Sequence, residues 1–118
     1  MNSSTRDQQF SQFVEFIVDP LHVQDLVAAL ISRVERFTRC CPGFISARVH
    51  VSEGGDRVLM QLVWPTREHG EQAVVRSQTF EPDLFHLARQ HHARALLFST
   101  FNAVAEVRAE CVSTELPA

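Results

Sequence analysis

The chain contains no lysine and no tyrosine, and all eleven of its basic residues are arginine. Without a lysine amine the protein cannot form a Schiff base with a carbonyl substrate. Without a phenol it cannot use tyrosine as a general acid or as a radical site. Its chemistry therefore has to come from carboxylates, imidazoles, thiols, guanidinium groups or the single tryptophan, Trp64.

Positive charge and cysteine are also scarce. The formal net charge is −3, and the sequence has no basic run, which argues against a nucleic-acid partner. Cys40 and Cys41 are adjacent, and Cys111 is the third cysteine. An odd count with this spacing indicates neither a disulfide framework nor a Cys-x-x-Cys site. We therefore expect a reducing, cytoplasmic setting.

Long apolar runs are missing as well. None approaches the roughly 20 residues that span a bilayer, and the first ten residues are largely polar. We therefore expect no membrane partner and no signal peptide. A chain of 118 residues that is 45% hydrophobic suits one domain with a packed core. We predict a flexible arm over 1–9, a domain over 10–108 and a polar tail over 109–118.

The spacing of apolar residues predicts an α+β domain. The order is a strand, a long helix, a hairpin of two strands, a split helical region and a last strand. The predicted bounds are Phe10–Val18, Leu21–Cys41, Phe44–Ser52, Arg57–Trp64, a short helix from Pro65, Phe80–Leu97 and Phe98–Val107. This β-α-β-β-α-β order predicts a ferredoxin-like fold, a four-stranded antiparallel sheet with helices on one face.

The first strand predicts an interface, because it is apolar on both of its faces. One face carries Val14, Phe16 and Val18. Helices cover only one side of the sheet, and we expect these three residues to remain on the uncovered side. An exposed apolar patch usually marks an interface, so we predict a homodimer packed sheet to sheet, a dimeric α/β barrel.

The long helix carries one apolar stripe at three- and four-residue spacing. We place Leu26, Leu30 and Phe37 on the stripe and expect Arg33 and Arg36 to point away from it.

Several motifs resemble the antibiotic biosynthesis monooxygenase family. They are the run CPGFISA over 41–47, the Gly54-Gly55 turn, and Val63-Trp64 followed by an acidic helix start. The resemblance covers roughly 13–107 and implies a dimeric ferredoxin-like protein. The best-known members are cofactor-independent oxygenases of anthrone-type aromatic polyketides, and other members of the superfamily bind and degrade haem. The resemblance thus implies a small aromatic substrate, O₂ and no cofactor.

The family's site residues can be carried over position by position. Trp64 falls where these oxygenases place their pocket tryptophan. Different residues occupy the family's other polar positions in this sequence. Glu15 and Met60 lie where the family has two asparagines, and Gly70 lies where some members have a tyrosine. Ala88, with Arg89 beside it, lies where the family has an arginine. The same alignment turns Glu15 toward the helices.

Oxidation of an electron-rich phenol or anthrone without a cofactor needs a base, a dry pocket and donors for the anion. Glu15 is the candidate base, because a poorly hydrated carboxylate holds a proton more readily. Alternatively, an arginine such as Arg89 or Arg94 neutralises it. Trp64 either forms part of the pocket wall beside the ligand, where its indole N–H can donate one hydrogen bond, or caps the core. The candidate substrate-binding residues are Met60, Leu62, Leu84, Phe85 and Arg89.

Histidine offers further alternatives. His50 is a candidate catalytic base, although a two-residue Gly54-Gly55 loop places it on the face opposite Trp64 and only a bulge would reverse this. No histidines show a metal-ligand spacing, so we expect no metal site. His91 is either a core histidine or the axial ligand of a haem. A non-catalytic ligand-binding or assembly protein is the remaining alternative.

Overall fold

The computed structural model describes residues 9–80 and 83–110. These residues form four strands and three α-helices, with two single 3-10 turns at Pro20–His22 and Thr38–Cys40. Their bounds are β1 Phe10–Ile17, α1 Val23–Arg36, β2 Ser46–Val51, β3 Arg57–Trp64, α2 Arg67–Ser77, α3 Leu84–Gln90 and β4 Ala95–Asn102. Most of the predicted arm and tail lies outside the described residues.

The strands form one antiparallel sheet in the order β2-β3-β1-β4. All three helices pack on the same face of this sheet. Leu26 and Leu30 from α1, Ala73 from α2 and Leu87 from α3 share one core with the buried residues of β1 and β3. The predicted ferredoxin-like α+β fold is confirmed.

The hairpin between β2 and β3 has the predicted register. Gly55 takes a positive φ of 73°, which a residue without a Cβ adopts without strain. The turn closes through a hydrogen bond from the Gly55 N–H to the Ser52 carbonyl at 2.9 Å. Val51 then pairs with Val58 and His50 with Leu59. His50 therefore lies on the face opposite Trp64, as the turn predicted.

The face assignment predicted for β1 is wrong. The register pairs Phe10 with Trp64 and Val14 with Met60, and cross-strand partners share a face. Val14, Phe16 and Val18 are therefore buried under the helices, with 4%, 0% and 1% of their surface exposed. The uncovered side of β1 instead carries the alternate residues, Phe13, Glu15 and Ile17.

The predicted helix over Phe80–Leu97 is also wrong in its extent. The helix begins only after Asp83, whose carboxylate accepts a hydrogen bond from the His86 N–H at 2.7 Å. It ends before His92, which takes a left-handed φ of 59°. The Arg94 N–H then bonds the Ile17 carbonyl at 2.7 Å. The last strand consequently starts at Ala95 and ends at Asn102, earlier than predicted at both ends.

Candidate functional site

A cavity of about 500 Å³ lies between the sheet and the helices, among the described residues. Strands β1, β3 and β4 form its floor, and side chains from all three helices and their connections form its walls. Apolar surface dominates the lining, and aromatic rings contribute to it from Trp64, Phe80, Phe85 and Phe98. Pockets of about 300–1,000 Å³ with apolar walls and a few polar groups are typical of small-molecule sites.

Trp64 is fixed in the wall of the cavity by its neighbours. It is fully buried, and the Phe44 ring packs edge-on against it at 5.6 Å between centroids. Its indole N–H donates to Gln12 Oε1 at 2.9 Å. This hydrogen bond engages the only N–H of the indole, so Trp64 offers the cavity its ring.

Gln12 links Trp64 to helix α2. Its Nε2 donates to the Gly70 carbonyl at 3.0 Å, so one side chain ties β3, β1 and α2 together. Helix and strand approach closely at this point, since a Cβ on Gly70 would lie 2.7 Å from two ring carbons of Phe10. Real Cβ atoms do not come this close to a neighbouring atom, so there is no space for a side chain at position 70.

Arg33 is a functional candidate, and the prediction that it points away from the apolar stripe of α1 is wrong. It lines the cavity with only 4% of its surface exposed, and its Cζ lies 5.1 Å from the centroid of the Phe80 ring. Burial lowers the pKa of its guanidinium, while the neighbouring Asp83 and Cys41 act in the opposite direction. An arginine remains protonated in such surroundings, so it brings positive charge to the cavity.

Asp83 supplies the carboxylate of the cavity among the described lining residues. Its Oδ1 holds the first turn of α3 through the His86 N–H, and the residue is exposed at the mouth of the site. The thiol of Cys41 also lines the cavity but is buried. Neither residue was singled out from the sequence, because a helix cap and a helix-end cysteine carry no functional signal by themselves.

The predicted substrate-binding residues divide into two groups. Leu62, Leu84 and Phe85 line the cavity, and their contact with a substrate stays a prediction. Met60 is buried on the same face of the sheet without being part of the lining. Arg89 is exposed on α3 and is not part of the described lining either.

The predicted common hollow for Glu15 and Trp64 is wrong, because the two side chains lie on opposite faces of the sheet. Glu15 pairs with Leu59 on the uncovered face and forms an ion pair there with Arg57, Nη1 to Oε2 at 3.2 Å. That partner is neither of the arginines expected from the sequence. His50 lies on the same uncovered face. Neither group faces a ligand in the cavity.

No histidine lies among the described residues that line the cavity. His91 instead caps the end of α3, where its N–H bonds the Leu87 carbonyl at 3.0 Å. The described part of the chain holds no group of three His, Cys, Asp or Glu side chains placed to bind a metal ion. Within the same residues, no helix has the length and apolar character needed to cross a bilayer.

No protein-family model matches the sequence, and no curated protein matches it. Solved structures do match. A monooxygenase from the gene ActVA-Orf6 of Streptomyces coelicolor, in complex with nanaomycin D, matches with a TM-score of 0.70 and 20% identity, over 88% of this chain and 95% of that chain. A mutant of SnoaB, a cofactor-independent oxygenase from Streptomyces nogalater, matches with a TM-score of 0.61 and 15% identity, over 86% and 99%.

A dimeric ferredoxin-like protein from an uncultured marine organism matches with a TM-score of 0.68 and 15% identity, over 85% of this chain and 99% of that chain. At these identities the similarity shows the fold. The chain therefore shares its ferredoxin-like architecture with a monooxygenase and a cofactor-independent oxygenase along most of its length.

Proposed function

We propose that the protein is a cofactor-independent monooxygenase that oxidises a small, anthrone-like aromatic polyketide with O₂, in the cytoplasm and in secondary metabolism. The observation that carries the proposal is the cavity of about 500 Å³ with aromatic walls. A flat ring system fits between such walls, where aromatic contacts contribute beyond simple burial. The shared fold with oxygenases of this kind supports the same conclusion.

Asp83 takes the role of base in this proposal. It is the carboxylate among the described lining residues, and only its Oδ1 is engaged by the helix cap. Removing a proton from the carbon flanked by two aromatic rings leaves a delocalised anion. Arg33 lies nearby and stabilises this charge, because a fixed positive group acts strongly where water is excluded.

The reaction balances without a further reductant. The CH₂ carbon of the anthrone gives one proton to Asp83, and the resulting carbanion passes an electron to O₂ and then combines with it. The peroxide accepts the proton back from Asp83 and becomes a hydroperoxide. Loss of the second C–H proton breaks the O–O bond and releases water, which leaves a carbonyl. The substrate loses four electrons, and O₂ gains them.

We expect the purified protein to consume O₂ when dithranol, a dihydroxyanthrone, is added, at a rate above the spontaneous oxidation. Asp83→Asn should lower the rate about 100-fold or more, because it removes the general base. Asparagine caps helices as well as aspartate does, so circular dichroism should show an unchanged fold. The measurement is O₂ uptake at an electrode, with product followed by absorption.

The matched control is Glu15→Gln, which removes a carboxylate from the uncovered face and should leave the rate unchanged. Full activity in Asp83→Asn would overturn the assignment of the base. Failure of the unmodified protein to accelerate O₂ uptake with anthrones, despite binding them, would favour the non-catalytic ligand-binding alternative. Met60 and Gly70 favour this non-catalytic alternative, since they lie where the family has polar groups.

We also propose that the uncovered face of the sheet forms a homodimer. This face carries an apolar set around the Glu15–Arg57 ion pair: Phe13, Ile17, Leu59, Val63, Leu97 and Phe101. Phe101 is 57% exposed although it packs against Phe13 at 5.4 Å between ring centroids. A second copy covering the face would bury a total of about 1,600 Å², the usual size of a stable interface. The dimeric ferredoxin-like neighbour supports this arrangement.

Phe101→Asp is expected to convert the dimer into a monomer, because it would bury an unpaired carboxylate from each copy in the interface. Light scattering coupled to gel filtration measures the mass. Val75→Asp is the control, since Val75 is a similarly exposed apolar residue, 64% exposed, on helix α2 across the sheet. A monomeric unmodified protein at micromolar concentration, or a dimer that survives Phe101→Asp, would contradict the proposal.

A further inference from the structure

We propose that Gln12 binds the ligand of this cavity, by donating a hydrogen bond from its side-chain amide to a ring carbonyl oxygen. The ligand is then a flat aromatic ketone whose carbonyl group points toward strand β1. The inference deepens the proposed function, because it names the residue that recognises the ketone oxygen of the substrate. It rests on that function in one respect only, that a flat aromatic ligand occupies the cavity.

The orientation of the Gln12 amide is fixed by its two partners. The indole N–H of Trp64 can only donate, so the amide atom that faces it at 2.9 Å is the oxygen. The Gly70 carbonyl can only accept, so the amide atom that faces it at 3.0 Å is the nitrogen. Both contacts require the same orientation, and a flipped amide would lose the two hydrogen bonds together.

One N–H of Gln12 remains after these contacts. A primary amide nitrogen carries two hydrogens, and the Gly70 carbonyl accepts one of them. Within residues 9–80 and 83–110, the Gln12 side chain makes no hydrogen bond besides those to Gly70 and Trp64. Gln12 is half-buried and lines the cavity, so a ligand in the cavity can accept the second N–H.

The place of Gln12 on β1 makes it distinctive. It pairs with Leu62 across β3, and cross-strand partners share a face, so it lies on the face under the helices. The other β1 residues of this face, Phe10, Val14 and Phe16, are buried and apolar. A small number of placed polar groups in an otherwise apolar wall is what orients a ligand in a pocket.

A ketone joined to flat rings has the chemistry that this wall recognises. Its rings pack against aromatic side chains such as Trp64, and its oxygen accepts a hydrogen bond in the plane of the carbonyl group. In the proposed reaction, removal of a proton from the CH₂ carbon of an anthrone moves negative charge onto the ketone oxygen. A fixed donor beside that oxygen binds the anion more strongly than the neutral ketone.

The test compares two flat ligands that differ in one oxygen, fluorenone and fluorene. Equilibrium dialysis gives both dissociation constants, and their ratio measures the preference for the ketone. We expect Gln12→Leu to lower this preference about 10-fold, because the carbonyl group is then buried without a donor.

Gln61→Leu is the matched control for Gln12→Leu. Gln61 is also a half-buried glutamine of the sheet, but it pairs with Phe13 on the uncovered face. The substitution should therefore leave the preference for fluorenone unchanged.

Gln12→Glu separates ligand binding from the support of Trp64. At about pH 8 a glutamate is ionised, so it offers an oxygen to the indole N–H and has no hydrogen to donate. The preference for fluorenone should fall as it does in Gln12→Leu. If Gln12 served only to hold Trp64, Gln12→Glu would keep the preference, and Gln12→Leu would weaken the binding of both ligands alike.

The unmodified protein gives a readout that does not depend on the folding of a variant. In ¹⁵N-labelled protein, the Gln12 amide proton that does not face Gly70 should shift downfield when fluorenone is added, and much less with fluorene. Equal shifts with the two ligands, or no binding of fluorenone, would overturn the inference. A preference that survives both Gln12 substitutions would overturn it as well.

The outcome is separate from the fate of the proposed function, which O₂ uptake with dithranol decides. Selective binding of fluorenone without O₂ uptake supports the role of Gln12 and rejects the oxygenase. O₂ uptake without any preference for the ketone supports the oxygenase and rejects the role of Gln12.

Discussion

Trp64→Ala is expected to lower the free energy of unfolding by about 3–5 kcal/mol, the usual cost of removing a buried aromatic side chain. Trp64 is fully buried, and its removal leaves a void beside the cavity. A small domain is stable by only about 5–15 kcal/mol, so this variant loses a large share of its stability. Urea unfolding followed by circular dichroism measures the loss, with Val75→Ala on the exposed side of α2 as the reference.

The hydrogen bond from Trp64 to Gln12 can be isolated by a double-mutant cycle. Trp64→Phe keeps an aromatic ring but leaves Gln12 Oε1 without its donor. We expect the unpaired oxygen to lower the free energy of unfolding by about 1–3 kcal/mol, in addition to the loss caused by the smaller ring. In the double variant Trp64→Phe with Gln12→Leu, the unpaired oxygen is gone, and part of the stability should return. If the two single losses simply add, the hydrogen bond contributes nothing to the fixed position of the indole.

Gly70→Val is the second large effect and should destabilise the fold by about 2–3 kcal/mol. The new Cβ would meet the ring of Phe10 at 2.7 Å, and Phe10 is itself buried between strand and helix with 3% of its surface exposed. Overpacking of this kind forces helix and strand apart. Because Gln12 bonds the Gly70 carbonyl, the same shift strains the link that holds Trp64. Thermal unfolding measures the difference.

Gln72→Val provides the control for Gly70→Val. It introduces the same β-branched side chain into the same helix, two residues further on, at an exposed position. Both variants thus place a β-branched residue in the helix. Valine is a poorer helix former than glutamine but a better one than glycine, so a larger loss of stability in Gly70→Val reports the contact with Phe10. Equal melting temperatures for the two would show that helix α2 can move away from β1 without cost.

The sequence predicted the fold correctly where a local rule leaves one solution. The glycines at 54 and 55 set the register of the hairpin, and that register placed His50 on the face away from Trp64. The long helix followed from its apolar spacing, although it runs over Val23–Arg36 and not over the predicted Leu21–Cys41. The face assignment of β1 was wrong because both of its alternating sets of side chains are apolar. Only its pairing with Val58, Met60 and Leu62 decides which set is buried.

The candidate site was harder to predict than the fold. Trp64 and three of the lining residues were identified, but the base was assigned to Glu15 through an alignment that turned the strand over. Arg33 was missed because its charge suggested an exposed position. The signal was present, since Leu26, Leu30, Arg33 and Phe37 follow a 4-3-4 spacing that keeps one side of a helix facing the core. A charged residue within such a stripe is therefore a candidate site residue.

The single indole has a practical consequence for anyone who works with this protein. Because the chain has one tryptophan and no tyrosine, its near-ultraviolet absorption and its emission arise almost entirely from Trp64, without energy transfer from a phenol. That chromophore sits in the wall of the cavity with its N–H held by Gln12. Intrinsic fluorescence therefore reports, without an added label, on the polarity of the cavity and on whether a ligand occupies it.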